Sequence, residues 1–183
     1  MNDWCASTPD TNRPTGAGSA RWTLERKLGL PATMFVYTDF GDGSMTTSGY
    51  PRVAKLWKRG TPMSSATVVY EGKPEDMYIA AMHDDTPGFE RNLVSRTLAF
   101  YNNELYLRGD DGTLTKIDAP NSAEKGLHKQ WLTLELREPW SVGGKDYKAG
   151  SLLAANFADF MAGKREMTVL FEPDEQSSLA GAT

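Results

Sequence analysis

The chain has 183 residues, of which 39% are apolar and 24% charged, with 17 Gly, 10 Pro and one Cys. This length fits one domain, and counting Gly brings the apolar share to about 48%, enough for a packed core and too much for wholesale disorder. A net charge of −4 from 20 basic and 24 acidic side chains gives no overall attraction to phosphate backbones or anionic lipid, so nucleic acid and membrane surfaces are not expected partners.

Residues 1–32 differ from the rest, being rich in Thr, Ser, Asn, Pro and Gly without a sustained period, and are expected to be irregular or disordered. Within them, Trp22, Leu24, Leu28 and Leu30 allow a short helix at 21–30 that Gly29 and Pro31 stop. The single Cys5 can form neither an internal disulfide nor a zinc array. No apolar run approaches the roughly 20 residues needed to span a bilayer, and the N-terminus lacks the apolar centre of a signal peptide. The cytoplasm is therefore the favoured compartment, and a disulfide-free periplasmic chain also fits.

From residue 33 the texture becomes short runs of Val, Tyr, Phe, Trp, Leu and Thr between turn residues, which predicts an all-β domain over 33–173 and a polar tail at 174–183. Strands are expected at 34–39, 52–58, 67–71, 77–83, 92–101, 104–108, 113–118, 130–137, 146–147, 152–157 and 167–171. Leu132, Leu134 and Leu136 alternate with Thr133, Glu135 and Arg137, so one face of that strand is apolar. Gly109, Asp110, Asp111 and Gly112 supply residues that tolerate the positive φ of a tight hairpin, and Gly143 and Gly144 read the same way. The piece 156–164 reads equally as a short helical turn or a loop.

Three runs, beginning at Val68, Leu114 and Thr168, each finish on an acidic residue followed closely by Gly or Pro, and they start 46 and 54 positions apart. That spacing is near the roughly 40–50 residue period of propeller blades and favours a propeller over a sandwich, each blade being a four-stranded antiparallel sheet with one of these runs at its outer edge.

No catalytic constellation stands out. G-x-S-x-G does not occur, and Ser122 to Lys125 satisfies S-x-x-K only within a polar loop. His83, Asp84 and Asp85 could be metal ligands, but consecutive residues of an extended segment point to opposite faces. His128 reads as a solvated residue of a Lys-rich loop. Gly41 to Ser44 lacks the Gly-Lys-Ser/Thr of a phosphate loop, and Lys55, Lys58 and Arg59 around Trp57 read as a solvated strand face. No catalytic, cofactor-binding or metal-binding residue is assigned, and no cofactor is expected.

The strings TDFGDGSMTTSGYPR (38–52), LWKRGTP (56–62), VYEG (69–72), YNNELYL (101–107), WSVGG (140–144) and GSLLA (150–154) resemble, in order, the N-terminal propeller of bacterial members of the prolyl oligopeptidase family of serine peptidases. The resemblance runs continuously over 35–173. It implies a two-domain peptidase in which an α/β-hydrolase domain carries Ser, Asp and His and a seven-bladed propeller admits only short peptides. None of those catalytic residues falls on this sequence. The chain is therefore expected to be a fragment from a truncated frame or a remnant: a non-catalytic, incomplete propeller of about three blades that gates short peptides only when joined to a hydrolase domain. Its open blade edges are expected to favour self-association. The alternative is a self-contained β-rich module that binds a peptide or a protein partner.

Overall fold

A computed structural model describes residues 32–180. The expected irregular stretch and short helix before it, with Cys5, lie outside the described residues.

Among the described residues three larger antiparallel sheets follow one another along the chain, with a two-stranded hairpin beside them. Sheet one is β1 (Thr33–Tyr37), β2 (Val53–Lys58) and β3 (Thr67–Glu71), in that spatial order. Sheet two is β4 (Tyr78–Asp84), β5 (Arg91–Ala99), β6 (Asn102–Arg108) and β7 (Leu114–Lys116). Next come β8 (Glu124–His128), β9 (Trp131–Glu135), a separate hairpin of β10 (Trp140–Val142) and β11 (Lys145–Tyr147), then β12 (Leu152–Asn156), a short helix α1 (Phe157–Met161) and β13 (Thr168–Phe171). Sheet three is ordered β8-β9-β12-β13.

Each sheet is a meander whose last strand, β3, β7 or β13, lies at one edge, as the three spaced runs predict. The hairpin inserted between β9 and β12 accounts for the longer second spacing. Gly143 and Gly144 form its turn with φ of 60° and 75°, the left-handed backbone that a two-residue hairpin requires. Stretch 156–164 resolves as a helix because the side chain of Asn156 accepts the Asp159 amide and caps the first turn.

Alternation decides how the sheets stack. On β5, Leu93 and Val94 point to opposite faces and enter two different cores. Val94 joins Ile79, Ala81 and Ala54 between sheets one and two. Leu93 and Leu105 join Leu132, Leu134, Leu136 and Leu153 between sheets two and three, where the hairpin's Tyr147 and the helix's Phe160 close the outer end. Each fully buried leucine contributes about 1.5–3 kcal/mol relative to exposure. Sheet two is thus buried on both faces, the condition of an interior propeller blade.

Polar ties hold sheet two to sheet three at three places. Arg91 donates to Asp84 at 3.0 Å and to the Lys129 carbonyl, and its guanidinium lies 5.2 Å from the Phe157 ring centre. Lys125 reaches back to the Asn103 carbonyl and side chain, and Arg165 donates to Asp118 at 2.7 Å.

Two expectations are corrected. Glu124, Lys125 and His128 lie not in loops but on β8, whose polar sequence is held as a strand by full register pairing with β9, from Glu124 opposite Glu135 to His128 opposite Trp131. Here the partner strand overrides local propensity. Sheet one, expected to be a four-stranded blade, has three strands among the described residues.

Candidate functional site

The face of sheet two that looks toward sheet one is organised in three lateral rows by strand register. Ile79, Arg96 and Glu104 form the first, Ala81, Val94 and Tyr106 the second, and His83, Asn92 and Arg108 the third.

In the first row every charge is met. Arg96 donates to both carboxylate oxygens of Asp76 at 2.9 Å and to Glu104 at 3.2 Å. Asp76, only 4% exposed, also accepts the Lys73 amide at 2.7 Å. Its burial alone would raise its pKa, but Arg96 and that amide outweigh burial and hold it below the usual value. Glu104 further accepts Lys116 at 2.7 Å and the Tyr106 hydroxyl at 2.7 Å, and its pKa falls to about 2, chiefly through Lys116. Burial and Glu104 together push the Tyr106 hydroxyl upward. The second row is apolar core and separates the first from the third.

The third row faces open space. Between it and sheet one runs a groove of about 430 Å³, walled by Phe35, Tyr37 and Leu56 on one side and by Ala81, His83 and Arg108 on the other. Tyr37 closes its lower end, its ring centre 5.9 Å from that of Tyr78 in an edge-to-face contact, and Tyr50 meets the same ring at 6.1 Å. Burial, and then the neighbouring Tyr37, push the Tyr78 hydroxyl up to about 12. At the upper end His83 Nδ1 lies 2.9 Å from Asn92 Oδ1. The groove therefore has an apolar length and a polar, cation-bearing end.

A second cleft, of about 350 Å³, separates sheets two and three and is lined by Ser95, Leu105, Glu124 and Lys125. The Lys125 ammonium gives its hydrogen bonds to the carbonyls of Asn103 and Ala123 and to Asn103 Oδ1. Burial draws its pKa down to about 8. With its three donors engaged by the protein, it ties two sheets together rather than offering a hand to a ligand.

The residues weighed for catalysis are dispersed. Ser122 donates to Glu138 at 2.6 Å while Lys125 turns to Asn103, so the S-x-x-K pair does not meet. Asp84 accepts Thr86 and Arg91, apart from the His83 ring. Among the described residues no group of three His, Cys, Asp or Glu side chains could hold a metal ion, and neither His83 nor His128 hydrogen-bonds a hydroxyl. Gly41 to Ser44 is folded around Asp39, which accepts the Gly41 amide and the Ser44 hydroxyl, so a carboxylate already occupies that loop. Trp57 donates to the Thr61 carbonyl and Lys55 lies over Phe40. Sequence reasoning did not single out Arg108 or Asn92, because only strand register aligns them with His83.

No family model matches the chain. It is 28% identical over 179 residues to an uncharacterized peptidase of Sinorhizobium fredii, covering 93% of this chain and 24% of the relative. It is 29% identical over 140 residues to an uncharacterized peptidase of Rickettsia prowazekii, covering 72% of this chain and 19% of the relative. In fold it is similar to a post-proline cleaving enzyme from Rickettsia typhi, with a TM-score of 0.71 and 28% identity over 79% of this chain and 22% of that one. The chain thus spans about a quarter or less of the length of each protein it matches. In sequence and in stacked-blade fold, this chain corresponds to part of the β-propeller of peptidases of the prolyl oligopeptidase family.

Proposed function

We propose that the chain is a non-catalytic, access-limiting part of the propeller of a post-proline serine peptidase and acts on short peptides only together with a hydrolase domain. The observation that carries this reading is the match to a post-proline cleaving enzyme, spread over 79% of this chain yet confined to 22% of that enzyme. The two-sided burial of sheet two supports it, since a gate needs blades that stack rigidly rather than a mobile loop.

The test grafts residues 33–173 in place of the matching segment of the Rickettsia typhi enzyme. The graft should still cleave a chromogenic Gly-Pro peptide and should spare a polypeptide of 60 or so residues (a size chosen as about that of a small folded domain). Cleavage of the long substrate at the short substrate's rate would refute gating. Hydrolysis of the Gly-Pro peptide by the 183-residue chain alone, blocked by a serine-directed inhibitor, would refute the non-catalytic part.

A second reading, a self-contained peptide-binding module, is favoured by one feature, the groove between sheets one and two. In that case the chain would retain a peptide at equilibrium without any hydrolase partner.

A further inference from the structure

The first and third rows of sheet two have the same composition logic and opposite outcomes. Both place an arginine on the face toward sheet one, Arg96 on β5 and Arg108 on β6. Arg96 is answered by two carboxylates, Asp76 and Glu104. Arg108 is half-buried in the groove wall, and among the described residues no carboxylate forms an ion pair with it. Asp111, on the adjacent hairpin, feels its charge but spends its own oxygens on the Thr113 amide and hydroxyl. A second cation stands on the facing sheet. Lys58 pairs with Thr33 and alternates in step with Leu56 and Ala54, so it stands on the sheet-one face that looks across at sheet two.

A half-buried arginine at the end of an apolar groove, its guanidinium reaching the Gly112 turn, is half of a recognition site. Its fork of N–H donors matches a carboxylate in bidentate geometry, and the partial loss of water around it strengthens that pairing. Below it, Phe35, Tyr37 and Leu56 offer apolar and aromatic surface of the kind that holds hydrophobic and prolyl side chains. The length of the groove, with charge at one end only, suits an apolar chain ending in an acid.

We propose that the groove between sheets one and two binds a short apolar peptide by its C-terminus, with Arg108 pairing the terminal carboxylate and Phe35, Tyr37 and Leu56 holding the preceding side chains. This assignment deepens the reading of the chain as a handler of short peptides and rests on it for the choice of ligand. Asn92, adjacent to both His83 and Arg108 in its row, positions the upper end without carrying charge.

Fluorescence anisotropy with the 183-residue chain tests it, using the N-terminally labelled tetrapeptide Ala-Ala-Pro-Phe as free acid and as C-terminal amide. The acid should bind roughly ten- to a hundredfold more tightly than the amide, the range of a charge-assisted bidentate bond. Arg108→Met should erase that preference, and Arg108→Lys should retain part of it. Arg137→Met, which removes an arginine stacked 4.5 Å from Tyr101 on another surface, should leave it unchanged. Equal binding of acid and amide, absence of binding by both, or persistence of the preference in Arg108→Met with an unaltered urea midpoint would overturn the proposal. Displacement of the peptide by decanoate at the peptide's own affinity would overturn the peptide assignment in favour of a fatty acid. None of these outcomes touches the gating reading, which is decided by hydrolysis in the grafted enzyme.

Discussion

Replacing Asp76 with Asn removes one negative charge from the boundary between sheets one and two, and the structure sets the size of the effect. Asp76 is 4% exposed and accepts three hydrogen bonds, two from Arg96 at 2.9 Å and one from the Lys73 amide at 2.7 Å. An Asn keeps the shape but turns an N–H₂ toward the guanidinium, so the bidentate pair is lost. Breaking a buried ion pair by removing one partner costs about 3–5 kcal/mol. Arg96 keeps Glu104 and is itself 18% exposed, which lowers the expectation to about 2–4 kcal/mol. In a chain of this size that is a fall of roughly 4–16 °C in Tm. Urea unfolding of Asp76→Asn, Arg96→Met and the double variant measures it. The double variant should be more stable than the sum of the two single losses predicts by at least about 1.5 kcal/mol, because removing both ends leaves no orphaned charge. Strict additivity, or a loss below 0.5 kcal/mol (about the ordinary surface effect), would refute the view that this row is a coupled ionic tie.

Glu104, whose pKa falls from 4.5 to about 2, contributes stability that is fully present above its unfolded pKa and is lost as pH falls from about 5 toward 2. Glu104→Gln should flatten that part of an acid titration of the urea midpoint. Lys125 acts at the other end of the scale. Its folded pKa of about 8 lies below the unfolded value of 10.5, so the unfolded chain binds more protons between these limits and stability rises with pH across them. Because the ammonium is partly solvated the gain is held to about 1–2 kcal/mol, and Lys125→Met should abolish the rise. Gly143→Ala should destabilise by about 1–3 kcal/mol, since its φ of 60° is unfavourable for Ala and the new Cβ would meet the Arg165 carbonyl at 2.8 Å; thermal melting checks it. At Lys129, where φ is 50°, Lys129→Gly should instead be neutral or stabilising by up to about 1 kcal/mol in the same assay.

Much of the scaffold is legible in the residues. The alternation of Leu132, Leu134 and Leu136, the Gly143–Gly144 turn and the spacing of the three outer strands each report a local rule, side-chain period or backbone φ, that acts within a few positions. Where pairing rather than propensity makes the strand, that legibility ends. β8 carries Glu124, Lys125, Gly126 and His128, none a strong strand former, and is extended because β9 supplies its hydrogen bonds. The two-sided character of sheet two is likewise visible only in part. Leu105 and Leu107 suggest one buried face, but Tyr106 between them is not solvated; it packs in the other core and donates to Glu104.

The candidate site was hidden for the same reason. His83, Asn92 and Arg108 span 25 positions of sequence and become neighbours only through antiparallel register across three strands. Composition and periodicity determined that this chain builds blade-like sheets, because those signals are local and short in range. Which arginine is neutralised and which is left facing a groove was decided by tertiary structure alone, since it depends on Asp76 arriving beside Arg96 from another segment while, among the described residues, no carboxylate forms an ion pair with Arg108.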